Sequence, residues 1–362
     1  MREPPRRAPP SLKARLEAQI AQTGPIGVDE FMTRCLHDPR DGYYARRPAI
    51  GAGGDFVTAP AISQMFGELV GLWLIEAWRR IGAPARVILA EAGPGDGTLM
   101  SDIGRAARLC GGFGAAARPW LIETSAPLRR RQGERLGEAW TQLRWAGSLA
   151  ELPTDAPLLL VANEFLDCLP ARQFQRTERG WAERMLGLDG AGRLAFGLAP
   201  WPGAGLPSDA AIGSVIERSA AQEAFAAGLG ARLAAQGGAA LLVDYGAAEP
   251  GAGDTLQALG AHRKVDPLAS PGRADVTVHA NFPAVIAAAR AAGAKAALLP
   301  QGELLRRLGI ETRAKALAES RPDQAGRIGR QLERLTGADQ MGELFKAAAI
   351  WSGPAPPGYE SA

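Results

Sequence analysis

The chain has 362 residues, enough for one large α/β domain with extensions or for two smaller domains. Its 46% apolar and 22% charged residues are those of an ordinary globular protein, and a formal net charge of +3 gives no reason to expect a nucleic-acid partner. Three cysteines (Cys35, Cys110, Cys168) and three histidines (His37, His262, His279) show neither a disulfide framework nor metal-ligand spacing, which suits a reducing, cytoplasmic setting without a metal centre.

In chain order, the Pro- and Arg-rich residues 1–10 are expected to be disordered. Leu12, Leu16 and Ile20 predict a helix over 11–22, and a second helix spans 27–37 before Asp38-Pro39 and the loop Asp41–Tyr44. A Gly-rich stretch, Gly51–Gly54, leads into Asp55–Pro60. From Thr58 and Pro60 one long helix is predicted, with Ile62, Met65, Phe66, Leu69, Val70, Trp73, Leu74 and Trp78 at helical spacing. No apolar run reaches the ~18 residues of a membrane span.

From residue 85 the rhythm is βα alternation: strand 86–91, helix 98–109, strand 119–123, helix 125–137, a short strand at 143–146 and strand 157–162. Turn signals at Gly180 and Asp189-Gly190 predict a β-hairpin insertion within 171–210. Then come helix 216–236, strand 240–244, a loop-rich segment over 247–281, helix 282–292, strand 295–299 and a last strand at 344–351. Alternating βα units imply an α/β fold with a doubly wound, mainly parallel sheet and helices on both faces. The predicted division is an N-terminal helical cap over 11–84, a sheet domain over 85–352 carrying the insertion, and a C-terminal tail over 353–362.

Ligands bind such sheets at the carboxyl ends of the strands. The most informative run there is Glu91-Ala92-Gly93-Pro94-Gly95-Asp96-Gly97-Thr98. Gly93, Gly95 and Gly97 let a ligand approach bare backbone, and the following helix offers its free N–H groups. A dinucleotide fingerprint would have Gly or Ala where Thr98 stands, and a pyrophosphate would meet Glu91 and Asp96. The pattern resembles the first motif of class I (Rossmann-like) S-adenosyl-L-methionine methyltransferases, whose cofactor is cationic and carries no phosphate.

At the other strand ends, Glu123 and Thr124 are placed for the ribose hydroxyls, since a carboxylate can accept two hydrogen bonds. Ser148 and Leu149 are candidates for the adenine edge and face. Asn163, Glu164 and Asp167 cluster where a reacting methyl group would sit, and Asp244-Tyr245 ends the fifth strand. Glu164 and Asp167 could equally cap the next helical turn. A guanidinium acceptor must lose a proton around attack, and carboxylates can both orient it and take that proton.

Several phrases together are similar to the MidA-type family, which act as complex I assembly factors in mitochondria. They are Asp38-Pro39 to Tyr43-Tyr44, Gly54–Pro60, Ile62–Glu68, Gly93–Met100, Asn163–Phe165 to Leu169-Pro170, Asp244–Gly246, Asp254–Ala258 and Gln301–Glu303. The resemblance implies a protein arginine N-methyltransferase using S-adenosyl-L-methionine on a complex I subunit, in a bacterial cytoplasm or a mitochondrial matrix, with no nucleic acid and no integral membrane segment. It places Asp55, Thr58, Ser63 and Gln64 near the methionine end of the cofactor. It also points to His279 as a third catalytic candidate, through the family's His-x-Asp-Phe, here His279-Ala280-Asn281-Phe282. Ala61 stands where the family has Glu, so no capping box forms with Thr58. Ala92 and Asp96 replace Leu and Arg, and Asn281 cannot act as a base. The Asp96 and Asn281 departures keep a second reading open, an assembly chaperone with little or no catalysis; a nicotinamide oxidoreductase is a third, against which Thr98 speaks.

Overall fold

A computed structural model describes residues 9–46, 58–203, 205–260 and 262–361. The start of the Pro-rich segment, Gly51–Gly54 and Asp55 lie outside the described residues. By packing, the chain forms two compact units. The larger comprises Pro48–Leu169, Ala220–Gly251 and His279–Ala362. The smaller comprises Met1–Arg47, Pro170–Ser219 and Ala252–Val278. The region 11–84 is therefore shared between the units.

The larger unit is built on seven main strands: β1 (Val87–Ala92), β2 (Ala117–Ile122), β3 (Arg144–Ala146), β4 (Leu158–Asn163), β5 (Gly238–Ala247), β6 (Lys295–Pro300) and β7 (Phe345–Ser352). Their order is β6-β7-β5-β4-β1-β2-β3, and β7 alone among them runs antiparallel to its neighbours. Strands β1 and β4 are buried along their whole length, and β5 nearly so. That is why they read as continuous apolar runs. Alternate residues face opposite layers. Leu89 and Val161 join the core under helices Gln64–Arg80 and Thr98–Leu109, while Ala90 and Ala162 join the core under Ala220–Gln236 and Phe282–Ala291.

The chain runs outward one way from β1 and the other way from β4, so the switch point lies between them. Register puts Ala92 beside Ala162, which sets the glycine turn after β1 next to Asn163 and Glu164. At the end of β5, Ala280–Asn281 adds a short parallel pairing with Gly246 and Ala247.

The long helix predicted from Thr58 is two helices, Ala59–Ile62 and Gln64–Arg80. Ser63 is extended (φ −158°, ψ 137°), and its Oγ accepts the Met65 N–H at 3.3 Å. An N-cap thus interrupts an apolar stripe that runs straight through it. Thr58 makes no side-chain cap bond, as the missing box implies. The tail docks on this layer: the Tyr359 hydroxyl donates to Ala347 O (2.8 Å) and the Trp73 indole to Pro357 O (3.0 Å).

In the smaller unit, Arg172–Thr177, Gly180–Leu188, Leu194–Pro200 and Val215–Arg218 join Ile26–Gly27 in an antiparallel sheet. The predicted hairpin is its centre. Residues predicted to begin helix 216–236 are instead an edge strand, because Val215 and Ile216 pair with Gln175 and Phe174; the helix starts at Ala220. The segment predicted as loop contains a second small sheet of Gln257–Gly260, Arg263–Val265 and Asp275–Thr277. Strands of three or four residues are too short to show a period.

Candidate active site

The turn after β1 bends through three left-handed glycines: Gly93 (φ 64°), Gly95 (φ 52°) and Gly97 (φ 83°). A side chain is strained at each. The Gly93 N–H donates to Ile122 O (3.2 Å) and the Gly97 N–H to Pro94 O (2.8 Å). A Cβ at Gly93 would lie 2.9 Å from the Phe165 ring, so the turn after β4 packs against bare backbone here.

Glu91 lies beneath this turn, 3% exposed. Its carboxyl accepts the Met100 N–H, and burial together with the charge of Asp96 pushes its pKa up to about 8. It is therefore mostly protonated at neutral pH. Asp96 turns into the protein: Oδ1 accepts the Thr98 N–H (3.0 Å) and Oγ1 (2.6 Å), and Oδ2 pairs with Arg135 (3.1 Å). The acid that replaces the family's arginine thus pairs with Arg135 and closes on the first amide of the helix, just before its N-cap Gly97.

At the end of β2, Glu123 Oε1 accepts the Ser125 N–H (2.7 Å) and Oε2 the Gln132 amide (3.3 Å). Burial raises its pKa, with these donors opposing. Thr124 is exposed beside it. The Glu123 N–H donates to Ala146 O (3.0 Å), which brings the ends of β2 and β3 together. Beyond β3, Ser148 is exposed and donates to Glu151 (3.3 Å), and half-buried Leu149 opens a short 3-10 turn.

The corner after β4 is different. Glu164 has φ 52°, a left-handed conformation that a non-glycine residue seldom adopts and that marks functional strain. Its Oε1 accepts from Asn163 Nδ2 (3.1 Å) and from the Ala59 N–H (3.3 Å), which sets Thr58 at the edge of this corner. Burial, with Asp167 nearby, pushes the Glu164 pKa up to about 7. Asn163 is 9% exposed, and its Oδ1 has no partner. Asp244 accepts the N–H groups of Phe165 (3.1 Å), Leu166 (2.8 Å) and Asp167 (3.2 Å) on Oδ2 and of Tyr245 (2.9 Å) on Oδ1. It thereby fixes the whole turn. Burial and the carboxyls of Asp167 and Glu164 push its pKa up; burial likewise raises that of Asp167. The Tyr245 hydroxyl donates to Asp167 Oδ2. The His279 ring packs edge-on against Tyr245, with centroids 5.3 Å apart.

The structure thus brings Gly93, Asn163 and Glu164 to one switch point and links Asp167 to His279 through Tyr245. Gln64 is exposed at the start of its helix. Asn281 is a helix cap, its Oδ1 accepting the Ala284 N–H (3.2 Å). Asn and Asp serve equally in that position. Sequence reasoning placed Asp244 and Tyr245 among the polar groups at the strand ends without a specific role, and it missed Gln132 and Arg135 altogether. Among the described residues no group of three or more His, Cys, Asp and Glu is arranged to hold a metal, and no helix is long and apolar enough to cross a membrane.

Comparison with known proteins gives the family. Residues 69–299 match a family model described as an S-adenosyl-L-methionine-dependent methyltransferase. The chain is 34% identical to the mitochondrial protein arginine methyltransferase NDUFAF7 of Danio rerio, over 94% of this chain and 86% of that protein. To its Homo sapiens counterpart it is 32% identical, over 92% and 81%. A Burkholderia thailandensis protein solved with S-adenosyl-homocysteine superimposes with a TM-score of 0.84 at 30% identity, covering 97% of this chain and 95% of that one.

Proposed function

The chain belongs to the S-adenosyl-L-methionine-dependent methyltransferases, and from that premise we propose that it methylates an arginine of a protein, the substrate being a subunit of respiratory complex I. The observation that carries this reading is Glu164: a residue in a left-handed backbone conformation at the switch point, whose buried carboxyl has its pKa pushed up to about 7. The setting would be a bacterial cytoplasm or a mitochondrial matrix.

The residues present fit the cofactor. Three left-handed glycines leave backbone open, Glu123 offers acceptor oxygens, and the buried Asn163 Oδ1 awaits a donor. In this reading Gly93, Gly95 and Gly97 hold the methionine part, Glu123 and Thr124 the ribose, and Ser148 and Leu149 the adenine. Glu91 supports the turn from beneath, and Thr58 and Gln64 flank it. Bound S-adenosyl-L-methionine supplies a methyl group already activated by a sulfonium.

The protein's task is then to orient the acceptor and take its proton. A guanidinium is always charged in water, so it is a poor nucleophile until a base relieves it. Glu164 Oε1 is held by Asn163 and Ala59, which leaves Oε2 to face the acceptor. A carboxylate with a pKa near the working pH is a better base than an ordinary one, because it both ionises and holds the proton it takes. Asp167 supplies part of that shift, and Tyr245 holds Asp167. His279, edge-on against Tyr245, stands next beyond Asp167 as the group to which the proton would pass.

Against the chaperone reading, Asp96 is paired with Arg135 and Asn281 is placed as a helix cap, a role that Asn and Asp fill equally. The test is to incubate the purified protein with S-adenosyl-L-methionine and isolated complex I subunits and map methylation by mass spectrometry. Methylarginine on one subunit is the expected result. Methyl groups only on other residue types, or none on a competent substrate, would overturn the reading.

A further inference from the structure

Helix Ala126–Leu136 presents Arg129, Gln132 and Arg135 at three-residue spacing, hence along one face. All three reach the cofactor loops. Arg129 Nε donates to Glu123 O (2.7 Å), and Arg135 pairs with Asp96 (3.1 Å) and bonds Thr98 Oγ1. Gln132 lies between them and is 0% exposed. Its Nε2 donates to Gly95 O (2.8 Å) and to Glu123 Oε2 (3.3 Å), while its Oε1 accepts the Trp145 indole N–H (2.8 Å).

One primary amide has two N–H donors and one carbonyl, and here each is used. Glutamate would lose both donors and set a second carboxyl against Glu123. Asparagine is one methylene shorter. Leucine or methionine would leave Gly95 O, Glu123 and the indole without this partner. The amide therefore ties together three pieces that are distant in sequence: the glycine turn after β1, the acid after β2 and strand β3.

We propose that Gln132 is the positioning residue of the cofactor pocket: it fixes the Gly95 peptide and the Glu123 carboxylate relative to each other, and so sets the affinity for the ribose hydroxyls of S-adenosyl compounds. The proposal rests on the reading that Glu123 holds the ribose. Ser125 and Gln132 hold Glu123, one on either oxygen, and the Thr124 N–H lies against the same carboxyl. The carboxylate is thereby held in one orientation, which is what a directed hold on the ribose hydroxyls requires.

The test is calorimetric titration of the full chain with S-adenosyl-homocysteine and with its 2′,3′-dideoxy analogue, alongside thermal unfolding of each variant. Gln132→Met is expected to weaken S-adenosyl-homocysteine by about 10- to 100-fold, the scale of a lost hydrogen bond to a charged group, and the dideoxy analogue by much less. Trp145→Phe leaves both cofactor elements untouched and frees only the Gln132 carbonyl. It serves where Gln132→Met does not fold, and is expected to weaken S-adenosyl-homocysteine about threefold, again with a smaller effect on the analogue. In a Glu123→Ala background Gln132→Met should cost little more, since the two act as one. Wild-type affinity in both Gln132→Met and Trp145→Phe, or equal losses for the two ligands, would overturn the proposal. If Glu123→Ala itself binds S-adenosyl-homocysteine as wild type does, the ribose assignment falls and the proposal with it. Loss in Glu123→Ala without loss in the Gln132 variant removes the proposal alone.

Discussion

The carboxyls on the two sides of the switch point are held in opposite ways. After β1 and β2, Asp96 and Glu123 each meet dedicated donors: Thr98 and Arg135 for the first, Ser125 and Gln132 for the second. After β4 and β5, Glu164, Asp167 and Asp244 crowd one another in a buried cluster, with Asn163, Tyr245 and the backbone among their donors. The first side holds these two carboxyls in direction, as binding requires. The second makes charge costly, so that a proton is retained near neutral pH, as acid–base chemistry requires. In the proposed reading the carboxyl ends of the central strands carry a binding corner and a reaction corner built from the same residue types.

The largest expected effect breaks the binding corner. Gly95→Val puts a β-branched residue at φ 52° within the turn and should weaken S-adenosyl-homocysteine more than 100-fold, roughly, by calorimetry. Next, Asp167→Asn sharpens the reaction corner. In the wild type Glu164 becomes the ionised base only above about pH 7, so kcat/KM should fall about tenfold per unit as pH drops below that. Removing the Asp167 charge should move this limb to lower pH. An unchanged pH profile would mean that Asp167 does not act on Glu164.

A smaller effect concerns Glu91. Its pKa of about 8 lies above the ordinary value of about 4.3, so the folded state retains a proton that the unfolded chain loses. Its contribution to stability is complete below about pH 4.3 and lost as pH rises through about 8. Glu91→Gln should therefore gain in unfolding temperature against the wild type as pH is raised across that window. Smallest of all, Asn281→Asp exchanges one good cap for another and should alter stability by less than about 0.5 kcal/mol in denaturant titration.

Much of the binding corner was legible in the chain because its signals are local. Strand β1, the glycine turn and helix Thr98–Leu109 fall within one continuous run, and Glu123 follows directly on an apolar strand. The break at Ser63 was not legible, since the apolar stripe from Ile62 to Trp78 carries through it and only the cap reveals it. Nor was the short sheet within 257–277. The reaction corner was only half legible. Glu164 and Asp167 stand beside a strand end, but the role of Asp244 depends on bonds to Phe165, Leu166 and Asp167 across the sheet. The pKa of Glu164 is likewise a product of tertiary burial. Gln132 was invisible for the same reason: a lone amide on a charged helix carries no pattern until its three partners converge.

The two-corner account is tested most directly by one variant measured in two ways. Glu164→Gln should lose methyl transfer by about 1,000-fold while binding S-adenosyl-homocysteine within a few-fold of wild type, because the residue serves the proton and not the cofactor. Retained turnover, or a loss of turnover matched by an equal loss of S-adenosyl-homocysteine affinity, would contradict it.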